Sequence, residues 1–407
     1  MASAIEIAQE ELNKAVAEFK ATQGANGTYA DKTQRRRIVD AAQQVMRAVK
    51  DPADEWVDMS GQLAVIAVNR LFWDWGVFDK IPLEGSISYS DLAAAVDAEV
   101  ALIARLGGVL VSMGVLNQTG TDLVSHTHRS LIFVEGADAG LVYQLSWDNG
   151  MVPWAQFPRY FEEYGRKEPQ TLTHVPATFA YGHPELSYYD MLSLKPDMRK
   201  MFMKAMAPIE AKMPIAGIYN FDWLVEKARD PSTADLAVFV DVGGGKGHAI
   251  EAIWNEFPDL PLNRFILQDR PEVIAEVKAL DEAGLREVQK MVVNFHEGQP
   301  VKGALVYWIR RCLHNYGDDV SINILRNVAE AMTEDSKLLL EEDVLDNPPN
   351  HMAAMLDLIM LGFGGKQRNL ETWEKVISAA GLRISGISQG KGPWKSLSVI
   401  ECVKGHA

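Results

Sequence analysis

The chain has 407 residues, 47% of them hydrophobic and 23% charged, the composition of a globular protein large enough to bury a core without staples. Its 55 acidic against 40 basic side chains leave a net charge of −15, which argues against a nucleic-acid or anionic membrane partner, since both demand a basic footprint. Two cysteines, Cys312 and Cys402, make no disulfide framework, and Met1–Glu6 carries an early acid and no apolar segment of a signal peptide. The expectation is a soluble protein of a reducing, cytoplasmic compartment that crosses no membrane.

The first sixty residues read as amphipathic helices. Ile5, Ala8, Leu12, Val16 and Phe19 fall at helical spacing, as do Ile38, Ala41, Ala42, Val45 and Val49. Gln62–Val77 is compact and apolar, and Ile87–Ala93 looks like a helix start capped by Ser88 or Ser90. Ala101–Met113 is a further helix, stopped at Gly114 and followed by Val115-Leu116 and a turn at Asn117–Thr121. Helices and then a hairpin is the order of a winged helix, a relative of DNA-binding folds. The would-be recognition helix carries only Arg105 among apolar residues and glycines, so packing or dimerisation suits it better.

From Phe133 to Trp223 the chain is dense in aromatics and methionines. Large apolar groups at helical spacing usually pack one another; some of these could instead wall a pocket for a planar ligand. After Asp230-Pro231 the pattern becomes strand-turn-helix. Strands are expected at Ala237–Val242, Arg264–Leu267, Met291–Val293, Ala304–Ile309, Lys337–Leu340 and Leu382–Ile387. Helices are expected at Ala249–Phe257, Val273–Ala279, Val320–Met332 and Leu370–Ala380. That is a doubly wound α/β domain, with the division from the helical part near 225/226.

Three local patterns carry chemistry. The strand Ala237–Val242, with Asp241 near its end, runs into Gly243, Gly244, Gly245, Lys246 and Gly247, and then a helix. Glycines there admit a ligand close to the backbone. His248 stands where a dinucleotide fingerprint needs its third glycine, and no Ser or Thr follows a Gly-Lys pair as in a phosphate loop. Asp269 ends the second strand, where an acid accepts from ribose hydroxyls or merely caps the helix beginning near Pro271. Arg310-Arg311-Cys312-Leu313-His314 follows the fourth strand, at the edge where such sheets bind ligands; a lone His there can also be structural.

Taken together, Asp241–Gly247, Leu267–Pro271, the Arg-Arg-x-Leu-His segment, Asp357–Met360 and Gly364–Arg368 resemble the plant- and fungal-type small-molecule O-methyltransferases, from about Gln62 onward. The resemblance implies a helical, winged-helix-type dimerisation and substrate-lining domain over 1–225. Over 226–407 it implies a Rossmann-like domain binding S-adenosyl-L-methionine, with a homodimer and a small-molecule acceptor. It implies His314 as general base, Glu342 as the carboxylate that orients it, and Gln367 where a second carboxylate is usual. Cofactor contacts fall on Asp241, Gly243, Gly245, Gly247, Asp269, Arg270, Asn294, Phe295 and Arg310. Asn294 replaces a usual Asp, Arg310 a frequent Lys, and Asn315-Tyr316 the usual Asp-Trp. Acceptor-lining candidates are Trp154, Met206, Met355, Ile359, Met360 and Phe363; Met355, Ile359 and Phe363 share one helix face. No His/Cys set has metal-ligand spacing. Methyl transfer to a hydroxyl of an aromatic or polyketide-like metabolite is the function expected, with a cofactor-binding pericyclase on the same fold as the alternative.

Overall fold

A computed structural model describes residues 3–21 and 32–405; Met1 and Ala2, in the N-terminal stretch read above, lie outside the described residues. The chain divides into two compact units, Met1–Ala137 and Asp138–Ala407. This contact boundary precedes the 225/226 division expected from composition, because the aromatic- and methionine-rich helices pack within the same unit as the sheet.

The first unit holds the helices Ala4–Ala21, Lys32–Val49 and Glu55–Asp74, and then the winged-helix-type part. There β1 (Ile87–Ser88), β2 (Leu116–Gln118) and β3 (Leu123–His126) form an antiparallel sheet in the order β1-β3-β2. Ser88 is the cap: its hydroxyl accepts from the Asp91 N–H and opens the helix Tyr89–Ala95. Val100–Ser112 follows, with Ile103, Gly107 and Leu110 buried. His126 is structural, its ring bonded to Ser130 Oγ at 2.8 Å and to the Ile81 carbonyl at 3.2 Å.

The second unit is built on β4 (Phe239–Val242), β5 (Phe265–Asp269), β6 (Gln289–Val292), β7 (Val306–Arg310), β8 (Lys337–Leu345), β9 (Arg368–Asn369), β10 (Leu382–Gln389) and β11 (Leu397–Lys404). The sheet order is β10-β11-β8-β7-β4-β5-β6, with β9 paired to β8. β4 to β8 run parallel; β10 and β11 form an antiparallel hairpin whose β11 closes on β8. The expected strands are present, and the short β9 and β11 add two that the sequence reading lacked.

Both faces of the sheet are covered, as a parallel sheet requires. Val240, Tyr307, Ile309, Leu338 and Leu340 enter one core with Ile324, Leu325 and Trp373. Phe239, Phe265, Trp308, Leu339 and Val399 enter the other with Ile250, Ile253 and Ile274. Alternate residues of each strand therefore point to opposite cores. At the carboxyl ends of β4, β5, β7 and β8 the apolar run stops and polar side chains begin. The site is there.

Candidate active site

Glycine turn first. Gly243, Gly245 and Gly247 all take positive φ (71°, 58° and 84°), and Gly247 starts the helix His248–Glu256. A Cβ built on Gly245 meets no atom within 4 Å, so the turn faces open space. Gly244, which the spacing did not single out, is the tightest: a Cβ there would stand 2.3 Å from the Asp241 carboxyl carbon. Asp241 is thus packed directly beneath the turn, fully buried, and its Oδ2 has no partner. Burial above all lifts its carboxyl to about 7; the negative Asp269 and Glu341 add to this and Arg310 opposes it.

Asp269 is tied to the same turn. Its Oδ2 accepts the Gly245 N–H at 2.8 Å and its Oδ1 the Arg270 N–H at 2.7 Å. The Arg270 side chain runs outward, pairing with Glu272 at 3.1 Å and lying over the Tyr189 ring at 5.9 Å. Phe295 walls the turn, its ring 3.2 Å from a Cβ built on Gly243. The Asn294 side-chain amide donates to Glu297 Oε1 and its Oδ1 accepts the His296 N–H. Arg310 pairs with Glu341, Nε to Oε1 at 3.2 Å.

The histidine sits on a 3₁₀ turn, Leu313–Asn315, just past β7. Its Nδ1 lies 2.6 Å from Glu342 Oε2, and the Cys312 and Leu313 N–H groups donate to Glu342 Oε1 at 2.9 and 2.8 Å. Both residues are buried, at 7% and 0% exposure, so this pair is shielded from bulk screening. Burial works to raise the Glu342 carboxyl, but His314, Arg311 and the Leu313 N–H outweigh it and hold it below its usual value. An ionised Glu342 can only accept, so Nδ1 carries the proton and Nε2 is left as a base.

The segment Gly364–Arg368 holds that turn in place. Lys366 N–H donates to the His314 carbonyl at 2.8 Å. Arg368, fully buried, donates from Nη1 to the Leu313 carbonyl, from Nη2 to the Tyr316 carbonyl and from Nε to Asp318. Gln367 is buried beside it, its N–H donating to Asp357 Oδ1 at 2.7 Å.

Next to the histidine the helix His351–Gly362 presents Ile359, and Phe363 caps it. The Phe363 ring meets Tyr188 at 4.2 Å between centroids, and the Tyr188 hydroxyl donates to Asn149 Oδ1 at 2.6 Å. Trp154 Nε1 donates to the Leu358 carbonyl at 3.3 Å, which joins it to the same helix. Met355 and Met360 are half-buried on that helix. Met206 lies on the helix Pro196–Lys212, which packs on Asp138–Ser146 and on Tyr188–Ser193, the helix that carries Tyr188. A narrow cavity lined by Tyr188, Tyr189, Asn315, Tyr316 and Phe363 opens beside His314. A roomier cleft among Asp346, Asn350, Asn369 and Lys395 lies at the far end of β8 and holds none of the expected residues. Among the described residues no cluster of three His, Cys, Asp or Glu could hold a metal ion.

The second unit has a methyltransferase-type Rossmann-like fold, and a mostly helical unit precedes it in the chain. Residues 170–383 match the model of the O-methyltransferase domain family. A methyltransferase of Aspergillus candidus, cfoD, is 38% identical over 376 residues, covering 91% of this chain and 92% of its own. The chain belongs to this O-methyltransferase family, a class of S-adenosyl-L-methionine-dependent enzymes. In structure it is similar to OxaC in complex with SAH and oxaline, with TM-score 0.81 at 22% identity over 98% of this chain and 99% of that one. It is also similar to a protein described as a pericyclic reaction enzyme, with TM-score 0.72 at 22% identity over 96% of this chain and 100% of that one. The residues at the glycine turn fit the cofactor: the space at Gly245 is open, and the buried Asp241 Oδ2 lacks a partner for a cationic group.

Proposed function

We propose that this enzyme transfers a methyl group to a hydroxyl of an aromatic or polyketide-like small molecule, with His314 as general base. The observation that carries the reading is the buried His314–Glu342 pair at 2.6 Å. Asp241, Gly243, Gly245, Gly247 and Asp269 would hold the cofactor, with Phe295 against the turn and Arg310 below it. S-adenosylmethionine, when bound, supplies an electrophilic methyl on a sulfonium sulfur.

What the chain's own residues do is position and deprotonate. A phenol of pKa near 10 is mostly neutral at pH 7, and an imidazole hydrogen-bonded to it removes the proton as the oxygen becomes nucleophilic. His314 Nε2 takes that proton, and Glu342 stabilises the imidazolium through Nδ1. Trp154, Ile359, Phe363 and Tyr188 offer flat and apolar surface for an aromatic acceptor and exclude water. Gln367 adds a neutral amide where the family often has an acid, so one carboxylate, Glu342, serves the base.

The test is formation of S-adenosylhomocysteine with a panel of phenolic and enolic acceptors. Stoichiometric S-adenosylhomocysteine and methylated product are expected. Conversion of a substrate with the cofactor left intact would instead favour pericyclic catalysis, for which a neutral Gln367 is suited. The acceptor is a metabolite-sized molecule, and the active form is a homodimer. Trp56, Met59 and Leu63, at one face of the helix Glu55–Asp74, are 67%, 61% and 56% exposed, an apolar stripe of the kind a partner copy covers. Sedimentation of the full chain as a monomer at micromolar concentration would contradict the dimer. No helix among the described residues is long and apolar enough to cross a membrane.

A further inference from the structure

Asp241, Arg310 and Glu341 lie two residues beyond Phe239, Trp308 and Leu339, which all enter the same core. Strand alternation therefore puts all three on one face of the sheet, on the neighbouring strands β4, β7 and β8. In register, Arg310 stands opposite Glu341 and pairs with it at 3.2 Å, while its charge also acts on Asp241 from the neighbouring strand without a hydrogen bond to it. One charge cannot satisfy both. Asp241 Oδ2, Arg310 Nη2 and Glu341 Oε2 are each buried without a partner. Glu342, the next residue, points to the opposite face, toward His314.

We propose that Asp241, Arg310 and Glu341 form a buried triad that holds one proton under the glycine turn, and that cofactor binding expels it, with Glu341 setting how affinity follows pH.

Every neighbouring charge bears on this balance. Asp241 is faced by Asp269 from β5, Arg310 from β7 and Glu341 from β8. Glu341 is faced by Arg310 and Arg311 on one side and Glu342 on its own strand, while β11 opposes it with the apolar Val399. Burial foremost lifts Glu341 to about 7, as it does Asp241, with the arginines opposing. Two buried acids competing for one cation titrate together near neutrality. The cofactor is cationic at sulfur and at its amino group, and a cation near Asp241 makes the doubly ionised state favourable. The carboxyl O–H bond then breaks, its electron pair stays on the carboxylate, and the proton passes to solvent water or buffer base; no other bond changes. Affinity therefore rises with pH through neutrality and levels off once the triad has lost its proton unaided.

This inference rests on the cofactor reading above, and calorimetry separates the two. Wild-type protein is titrated with S-adenosylmethionine at pH 6.5, 7.5 and 8.5 in buffers of different ionisation enthalpy. Release of roughly half a proton near pH 7, fading by pH 8.5, is expected. Binding with no proton exchange at any pH overturns the triad; absence of binding under all conditions overturns the cofactor reading instead. In Glu341→Gln the release should fall by at least about half and the pH dependence of affinity should flatten. Release equal to wild type in a folded Glu341→Gln protein would assign the proton to Asp241 alone and overturn the role of Glu341. Where that variant does not fold, the wild-type arm still decides whether binding expels a proton, and Glu341→Asp, which keeps the acid but shortens its reach to Arg310, takes its place: a pH dependence identical to wild type overturns the role of Glu341.

Discussion

Gly365 lies so close to the histidine turn that a Cβ built on it would stand 2.2 Å from the His314 carbonyl oxygen. The next residue, Lys366, donates its N–H to that same oxygen. The two segments are moulded to each other, so the site of the base depends on a residue with no side chain. Gly365→Ala should push the turn aside and misplace the imidazole. A shift of the order of 1 Å should lower kcat by roughly a hundredfold. Cofactor affinity should stay within about twofold of wild type, since the glycine turn lies on other strands. Measuring kcat and calorimetric affinity on one preparation checks this; an unaffected kcat would mean that the turn yields freely.

Replacing the base itself is a simpler change. His314→Ala should lower turnover by roughly 10²–10⁴, the usual contribution of a positioned acid-base group, with cofactor binding retained. Full activity would remove His314 from the reaction. Loss of cofactor binding would show that it serves the fold.

Arg368 makes a structural prediction. Its side chain is fully buried and bonds two carbonyls of the histidine turn, the Lys366 carbonyl, Ser321 and Asp318, while stacking on Trp373 at 5.1 Å. Arg368→Met would leave several buried carbonyls without their donor and Asp318 with Lys366 as its remaining cationic partner. A loss of about 3–5 kcal/mol in unfolding free energy is expected, read by urea denaturation. A loss below about 1 kcal/mol would show that water replaces the guanidinium.

Glu342 carries a pH signature. Its folded-state carboxyl lies below the 4.5 of an unperturbed group. The stability this confers is fully present above the unfolded value and is lost as pH falls through the folded value. Wild type should therefore lose melting temperature below about pH 4.5 more steeply than Glu342→Gln, which has no proton to take up. Parallel melting curves for the two proteins between pH 6 and pH 3 would refute it.

Gly245→Val tests the turn. The wild-type residue has φ of 58° and open space where its Cβ would be, so the change collides with no protein atom. Its cost is a β-branched residue in the left-handed region, about 1–2 kcal/mol, together with methyl groups in the ligand's space. Affinity for S-adenosylmethionine should fall by at least roughly tenfold. Unchanged affinity in calorimetry would move the cofactor away from this loop.

Much of this architecture is legible in the chain. β4 and β7 are near-continuous apolar runs broken only by Asp241 and Arg310, and the helices that follow them start just after glycines, Gly247 and Gly317. β11 escapes the eye because Ser398, Glu401 and Lys404 interrupt its apolar residues, though Leu397, Val399, Ile400 and Cys402 are buried between two strands. β1 is two residues long and merges with the cap of the following helix. Within the site, His314 and Glu342 stand 28 residues apart, and only the family resemblance joined them before the fold did. Arg368 gives no sign of burial, since an arginine after Gly-Gly-Lys-Gln reads as solvated. Asn294 rests on the family position alone for its cofactor role, and its side chain also closes its own turn through Glu297 and His296. Glu341 was readable: two acids ending Leu338-Leu339-Leu340 at the rim of a parallel strand must face opposite ways.

That pair of neighbouring acids makes β8 intolerant of any change in residue count. Each acid is defined only by whether its place along the strand is odd or even. Removing or adding one residue between Lys337 and Leu340 would leave leucines to fill both cores almost as before, so the fold could survive the edit. It would nonetheless exchange the two carboxylates, turning the one that steadies the imidazole toward the glycine turn. For evolution, β8 can change its apolar letters freely, but its length is fixed by chemistry carried out on both of its sides.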